Sequence, residues 1–87
     1  MHRAKSILDE AKKIVEGSRQ QEYGTPENSF STIGKYWSAY LGREVSAQDV
    51  AMLMVLCKVA RESNQHKRDN LVDLAGYAAC AATLHPE

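Results

Sequence analysis

Apolar residues recur at helical spacing in the first half of the chain. From Ile7 onward they fall three or four positions apart, separated by charged residues, which predicts an amphipathic helix ending near Gly17. A second run follows Thr25 and Pro26, which suit the cap and first position of a helix, and it continues to Gly42. No segment alternates strictly between apolar and polar residues as a half-buried strand does.

Two further helices are predicted in the second half. Ser46 and Asp49 have the spacing of a capping box, and the run from Val50 to Cys57 is apolar nearly all round. We expect this helix to be central, buried between several helices or partly against a second subunit. A fourth helix begins near Asp69 and is rich in small residues, which permit close packing. The pattern predicts an all-α fold, with a single helical domain over residues 1–87 forming a compact bundle of about four helices.

Size and charge narrow the class of protein. A chain of 87 residues buries only a modest core, so a helix that is apolar on all sides leaves surface to cover. We therefore expect a homo-oligomer, a dimer or larger. Lys plus Arg equals Asp plus Glu, 11 of each, which leaves no net field to attract nucleic acid or an anionic membrane. A helix-turn-helix between Gly42 and Arg61 is disfavoured because its recognition helix would be too apolar for a DNA groove.

The cysteines and the N-terminus predict the cellular compartment of the protein. Cys57 and Cys80 lie inside apolar runs, without the spacing of a metal site or a disulfide framework, so we expect reduced, buried core thiols. The three histidines are scattered and receive no metal role. The N-terminus is charged and every apolar run is too short to span a bilayer, which predicts a cytoplasmic protein with no membrane partner.

Two pairs of charged residues carry the most chemical character. Lys58 and Arg61 are three positions apart and Asp69 and Asp73 are four apart, so each pair shares one face of its helix. In an antiparallel packing, the cations can face the carboxylates across an apolar seam. Carboxylates at this spacing suit Mg²⁺, and the cations suit phosphate. The same residues can instead form salt bridges, and both alternatives stay open.

The segment after the first predicted helix adds two candidates for binding a nucleotide. The Tyr23 ring can stack on a base, and the Asn28 amide can bond to the donor and acceptor groups of its edge. The alternative is structural, because aromatic residues of a small bundle belong to the core more often than to a site.

Five motifs in a fixed order resemble a known family. They are Arg19-x-x-x-Tyr23-Gly24-x-Pro26-x-Asn28-x-Phe30, Trp37-Ser38-Ala39-Tyr40-Leu41-Gly42, Asp49-Val50-Ala51, Lys58-x-x-Arg61 and Asp69-Asn70-x-Val72-Asp73-x-Ala75-Gly76-Tyr77. Together they cover nearly the whole chain and resemble a family of small proteins encoded by tailed phages and prophages, known as a domain of unknown function. The resemblance implies a phage protein in the cytoplasm of a bacterial host, and it assigns no catalytic role.

A more remote resemblance concerns the Tyr-Gly loop, the Lys/Arg helix and the final Asp-x-x-x-Asp-x-x-x-Tyr helix. This arrangement is similar to phage nucleotide-modification-associated domains and to the MazG-like all-α nucleotide pyrophosphohydrolases. The latter bind Mg²⁺ with carboxylates on facing helices and split a nucleoside triphosphate between its α and β phosphates. Only Asp69 and Asp73 match their second acidic motif. Where those enzymes pair a Glu-Glu-x-x-Glu helix with a second acidic helix, this chain has only Asp9, Glu10 and Glu16 in its first helix and Asp49 in its third.

Two functional hypotheses follow. In the first, the protein binds or hydrolyses a nucleotide in a MazG-like manner, with Mg²⁺ as cofactor and a further carboxylate as general base. In the second, it is a non-enzymatic, oligomeric interaction protein that acts on a host or phage protein and needs no converging carboxylates. The candidate residues of the first hypothesis are Asp49 and Glu62 for catalysis, Lys58, Arg61, Tyr23 and Asn28 for the substrate, and Asp69 and Asp73 for the metal.

Overall fold

The structure, a computed structural model, describes residues 2–17 and 25–85. These ranges form four helices: α1 (His2–Glu16), α2 (Pro26–Leu41), α3 (Ala47–Asn64) and α4 (Arg68–Thr83). Because they contain no strand, the predicted all-α bundle is confirmed. The helix ends predicted near Gly17, Thr25, Gly42, Ser46 and Asp69 agree with the structure to within one residue. By contrast, α1 begins at His2, before Ile7, and α3 continues to Asn64, beyond Cys57.

Local chemistry explains where α2 and α3 begin and end. The hydroxyl of Thr25 accepts the N–H of Asn28 at the start of α2. Gly42, with φ of 69°, ends α2 in the left-handed conformation that glycine adopts without strain, and its N–H donates to the carbonyl of Ser38. At the start of α3, Ser46 and Asp49 form the predicted capping box, each side chain accepting the other's backbone N–H at 3.0–3.1 Å.

The helices pack around an antiparallel pair formed by α3 and α4, which share the largest contact. Helix α1 lies on α4, where Arg68 donates to the Glu10 carboxylate and, at 2.7 Å, to the hydroxyl of Ser6. Helix α2 lies on α3 and touches α4 only at its edge, where the rings of Phe30 and Tyr77 are 6.2 Å apart. The order across the structure is therefore α1, α4, α3, α2.

The core is small. Within the described ranges, Val50 and Val72 are the largest side chains that are fully buried. The expectation that both cysteines are buried core thiols is wrong. Cys57 is exposed on α3 and Cys80 is only half-buried, so the thiols are not both core residues. Of the α2 aromatics, Trp37 packs against the core, whereas Tyr40 is 90 % exposed. Helical spacing alone does not reveal which of two apolar faces meets a neighbour.

The connection between α2 and α3 folds back tightly over α2. The hydroxyl of Ser38 accepts the Val45 N–H at 2.7 Å and lies 2.7 Å from the Gly34 carbonyl, to which it can donate. A Cβ atom at Gly34 would lie 2.7 Å from the backbone oxygen of Val45. Gly34 is thus required by the close approach of another backbone segment. By contrast, a Cβ atom at Gly76, where α4 faces α1, would meet only a methyl group of Val15, at 3.7 Å.

We expect Gly34→Ala and Gly76→Ala to have opposite effects on stability, although both add a methyl group inside a helix. Gly76→Ala should stabilise by about 0.5–1 kcal/mol because alanine costs less backbone entropy. Gly34→Ala should destabilise by about 1–3 kcal/mol because the methyl group overlaps a backbone oxygen. Urea unfolding followed by circular dichroism measures both values. If both variants were more stable than the parent, the close approach at Gly34 would be wrong.

Candidate functional site

Three polar contacts cross the seam between α3 and α4. At one end the Gln48 amide donates to the carbonyl of Leu84 at 2.9 Å, and at the other end the Asn70 amide donates to the Glu62 carboxylate at 3.2 Å. Between them Lys58 and Asp73 form a salt bridge. From one contact to the next, the residue number on α3 increases while the number of its partner decreases, which shows that the two helices pack antiparallel. The candidate site was predicted for this packing.

The Lys58–Asp73 salt bridge is largely shielded from solvent. Its N–O distance is 2.9 Å, and the two side chains are 17 % and 19 % exposed. Removing one partner would leave a charge in a poorly hydrated position, which costs far more than the pair itself contributes. One cation and one carboxylate of the predicted set therefore meet, and each neutralises the other.

Arg61 and Asp69 do not join this pair. Both side chains are exposed, and neither makes an ion pair with any residue in the described ranges. Arg61 lies about one helical turn beyond Lys58, and Asp69 about one turn before Asp73. Their roles toward phosphate and a metal ion stay predictions.

Glu62 closes the turn between α3 and α4. Its carboxylate accepts the backbone N–H of Lys67 at 3.1 Å and the amide of Asn70 at 3.2 Å, and it also contacts the ring of His66. These contacts, led by His66, lower the pKa of Glu62 below its usual 4.5. A general base works best with a pKa near the operating pH, so this environment favours a hydrogen-bond acceptor that holds the turn.

Asn70 is the residue of this region that sequence reasoning missed. It is 7 % exposed, and its amide donates to both Glu62 and the carbonyl of Gln65, at 3.2 and 3.3 Å. The sequence feature that could have identified Asn70 is its position three residues before Asp73, which places both polar side chains on the same side of α4.

The other predicted residues lie elsewhere. Asp49 belongs to the capping box at the opposite end of α3, about 20 Å along the helix axis from Glu62. Asn28 is exposed in the first turn of α2, and no hydrogen bond within the described ranges joins it to Lys58 or Asp73. Tyr23 lies outside the described residues. The site that the structure supports is thus confined to the last two turns of α3 and the first two of α4.

These residues do not by themselves form a metal site. In the part of the chain that the structure describes, no three side chains of His, Cys, Asp or Glu are close enough to hold one ion. Asp69 is free in this region but Asp73 is occupied by Lys58, so the carboxylates do not supply the ligand set that Mg²⁺ needs. The Mg²⁺ cofactor stays a prediction.

A second feature of α3 faces solvent on the side away from the core. Four apolar side chains, Met52, Leu53, Leu56 and Val59, are 52 %, 43 %, 58 % and 46 % exposed. At 100° per residue they lie on the side of the helix opposite Ala51 and Met54, which face the core. We call these four residues the outer face of α3. The neighbouring α2 also exposes Tyr36 and Tyr40.

In the described ranges, the fold and site together define the class: a small all-α domain with a shielded salt bridge on its central helix pair and an apolar helix face open to solvent. The chain belongs to the phage family described as a domain of unknown function (DUF6378), whose model matches residues 6–85. The family resemblance expected from the motifs is therefore confirmed. The MazG-like resemblance stays a prediction.

Two curated relatives come from mycobacteriophages. The chain is 41 % identical over 85 residues to the Gene 55 protein of Mycobacterium phage D29, covering 97 % of this chain and 56 % of that protein. It is 43 % identical over 75 residues to the Gene 55 protein of Mycobacterium phage L5, covering 84 % and 48 %. The chain thus spans about half the length of these relatives. No solved structure matches it. Across the described ranges, no helix is long and apolar enough to cross a membrane.

We expect Glu62→Gln to lower the melting temperature at pH 7, because a neutral amide accepts these hydrogen bonds less strongly than a carboxylate. The lowered pKa of Glu62 gives the pH dependence: its stabilisation is complete above about 4.5 and is lost as the pH falls through the folded-state pKa. The gap between parent and variant should therefore narrow on acidification from pH 6 to pH 3.

The matched control is Glu44→Gln, which changes an exposed carboxylate that makes no ion pair in the described ranges. Melting curves followed by circular dichroism across this pH range should show a constant gap for this variant. An equal loss of stability in both variants would show that Glu62 does not hold the turn.

Proposed function

We propose that this chain is a helical interaction protein, without catalysis of its own, that places the outer face of α3 against another protein chain in the cytoplasm of a bacterial host. The observation that carries this proposal is the exposure of four neighbouring apolar side chains, Met52, Leu53, Leu56 and Val59, on one side of one helix. Contiguous apolar surface of this kind marks interaction sites on soluble proteins.

The free energy available from this face is substantial. Burying a side chain such as Leu, Met or Val completely contributes about 1.5–3 kcal/mol. Each of the four is about half exposed, so covering them would release about 3–6 kcal/mol before the entropy cost of association. The two tyrosines on α2, Tyr36 and Tyr40, add rigid aromatic surface of the kind that is enriched in interfaces.

The polar groups support the same proposal. Asp73 is neutralised by Lys58, Glu62 holds a turn, and Asp49 caps a helix, so three of the four predicted acidic residues already have structural partners. A binding protein has no need of converging carboxylates. The partner would be a host or phage protein with a complementary apolar surface.

A photo-crosslinking amino acid at position 56 should form an adduct with another protein chain inside the bacterial host of the phage, because Leu56 is at the centre of the outer face. The matched control is the same substitution at Leu8 on α1. The two leucines are 58 % and 61 % exposed, so both positions present the crosslinker to solvent equally. Mass spectrometry of the adducts identifies the chain bound. Equal adduct patterns at both positions would contradict the proposal.

A second candidate function is nucleotide binding at the end of the α3–α4 seam. The observation that favours it is the position of Arg61 and Asp69, two exposed charges beside the Lys58–Asp73 pair that have no ionic partner within the described ranges. An anionic phosphate beside Arg61 would also draw Lys58 away from Asp73, which would free that carboxylate for a phosphate-bound Mg²⁺.

We expect, on this second proposal, that one nucleotide raises the melting temperature by several degrees in the presence of Mg²⁺, because a ligand that binds only the folded state stabilises it. A thermal-shift panel of the four dNTPs, the four NTPs and their monophosphates, with and without Mg²⁺, provides the measurement. The shift should disappear in Arg61→Gln and persist in Arg43→Gln, which changes another exposed arginine. No shift with any nucleotide would reject this candidate.

A further inference from the structure

We infer that the occupant of the outer face of α3 is a second copy of this chain, packed through α3 against α3 about a two-fold axis near Leu56. The inference rests on the proposed function, since it names the partner of the same surface. Three observations carry it: the surface area of the chain, the size of its core and the self-complementarity of the outer face.

The chain exposes more surface than a monomer of its size. Its accessible surface is 6528 Å² for a mass of 9.7 kDa, whereas globular monomers of that mass expose about 5,100 Å². Part of this surface is the outer face of α3, whose four apolar side chains are 43–58 % exposed.

The core explains why the chain needs this additional burial. Only six apolar residues of the described ranges are buried, and three of them are alanines. The outer face alone exposes four larger side chains, so a large part of the apolar surface of α3 lies outside the core. Small domains with limited cores commonly gain the missing stability by oligomerisation. A second copy is always present at the same concentration as the first, so it meets this need without any other partner.

The outer face is complementary to itself. From Met52 to Ala60, every residue on the exposed side of α3 is uncharged. A two-fold axis at Leu56 runs the helices antiparallel and places Leu56 against its own copy, with Leu53 opposite Val59. Met52 then lies opposite Ala60, which pairs a long side chain with a small one.

The ends of the contact are also compatible under this symmetry. The same axis sets Asp49 of one chain opposite Ser63 of the other, so a carboxylate meets a hydroxyl donor and like charges do not meet. The chain as a whole has no formal net charge, and two copies therefore approach without repulsion. An isologous contact of this kind closes at two chains.

The purified chain at micromolar concentration should have twice its 9.7 kDa mass in size exclusion with light scattering. Leu56→Glu should reduce the mass to that of one chain, because the axis would bring two carboxylates together in an apolar contact. The matched control, Leu8→Glu, changes a leucine of equal exposure on α1 and should remain a dimer. Glutamate is a good helix former, so circular dichroism should show folded helices in both variants.

A disulfide test covers the case in which Leu56→Glu fails to fold. In a Cys57→Ser background, which removes the exposed native thiol, Leu56→Cys should give a covalent dimer on treatment with an oxidant, and Leu8→Cys should not. A parent chain that is monomeric at micromolar concentration would overturn this inference. So would a dimer that Leu56→Glu leaves intact and Leu56→Cys does not crosslink. The proposed function would survive either result if the crosslinker at position 56 captured a different protein.

Discussion

The register of α3 against α4 is the constraint on which the rest of this structure depends. It is set by three polar contacts spread over the length of the seam, from Gln48–Leu84 through Lys58–Asp73 to Glu62–Asn70. A slip of one helical turn would break all three and leave a shielded lysine and a shielded carboxylate unpaired, which is costly away from water. The apolar residues between these contacts hold the helices together, and the polar ones decide which residues meet.

The outer helices take their positions from this central pair. Helix α1 is held on α4 by Arg68, and Gly76 of α4 lies against Val15 of α1. Helix α2 is held on α3 by the connection between them, which passes close to Gly34 and whose Val45 N–H donates to the Ser38 hydroxyl. Because α1 and α2 lie on opposite sides, they do not close around α3. One apolar face of α3 is therefore left to solvent.

This architecture is the basis of our proposal that the chain acts by association. Acidic residues that resemble an active site in the sequence hold a turn, cap a helix or neutralise a lysine. Membership of the DUF6378 family and similarity to two mycobacteriophage Gene 55 proteins place the chain among phage proteins without adding a reaction. The outer face of α3 is left uncovered within the described ranges, and burial of apolar surface is favourable.

The sequence by itself determined the four helices and most of their ends, because periodicity, the Thr25 and Ser46 caps and the stop at Gly42 depend on residues within about one turn of each other. It also indicated that a carboxylate on the fourth helix could pair with Lys58 if the two helices packed antiparallel. Only the tertiary structure decided that Asp73 supplies it, that Cys57 faces solvent, and that a methyl group fits at Gly76 but not at Gly34. These outcomes depend on distances between segments far apart in the chain, which local pattern does not specify.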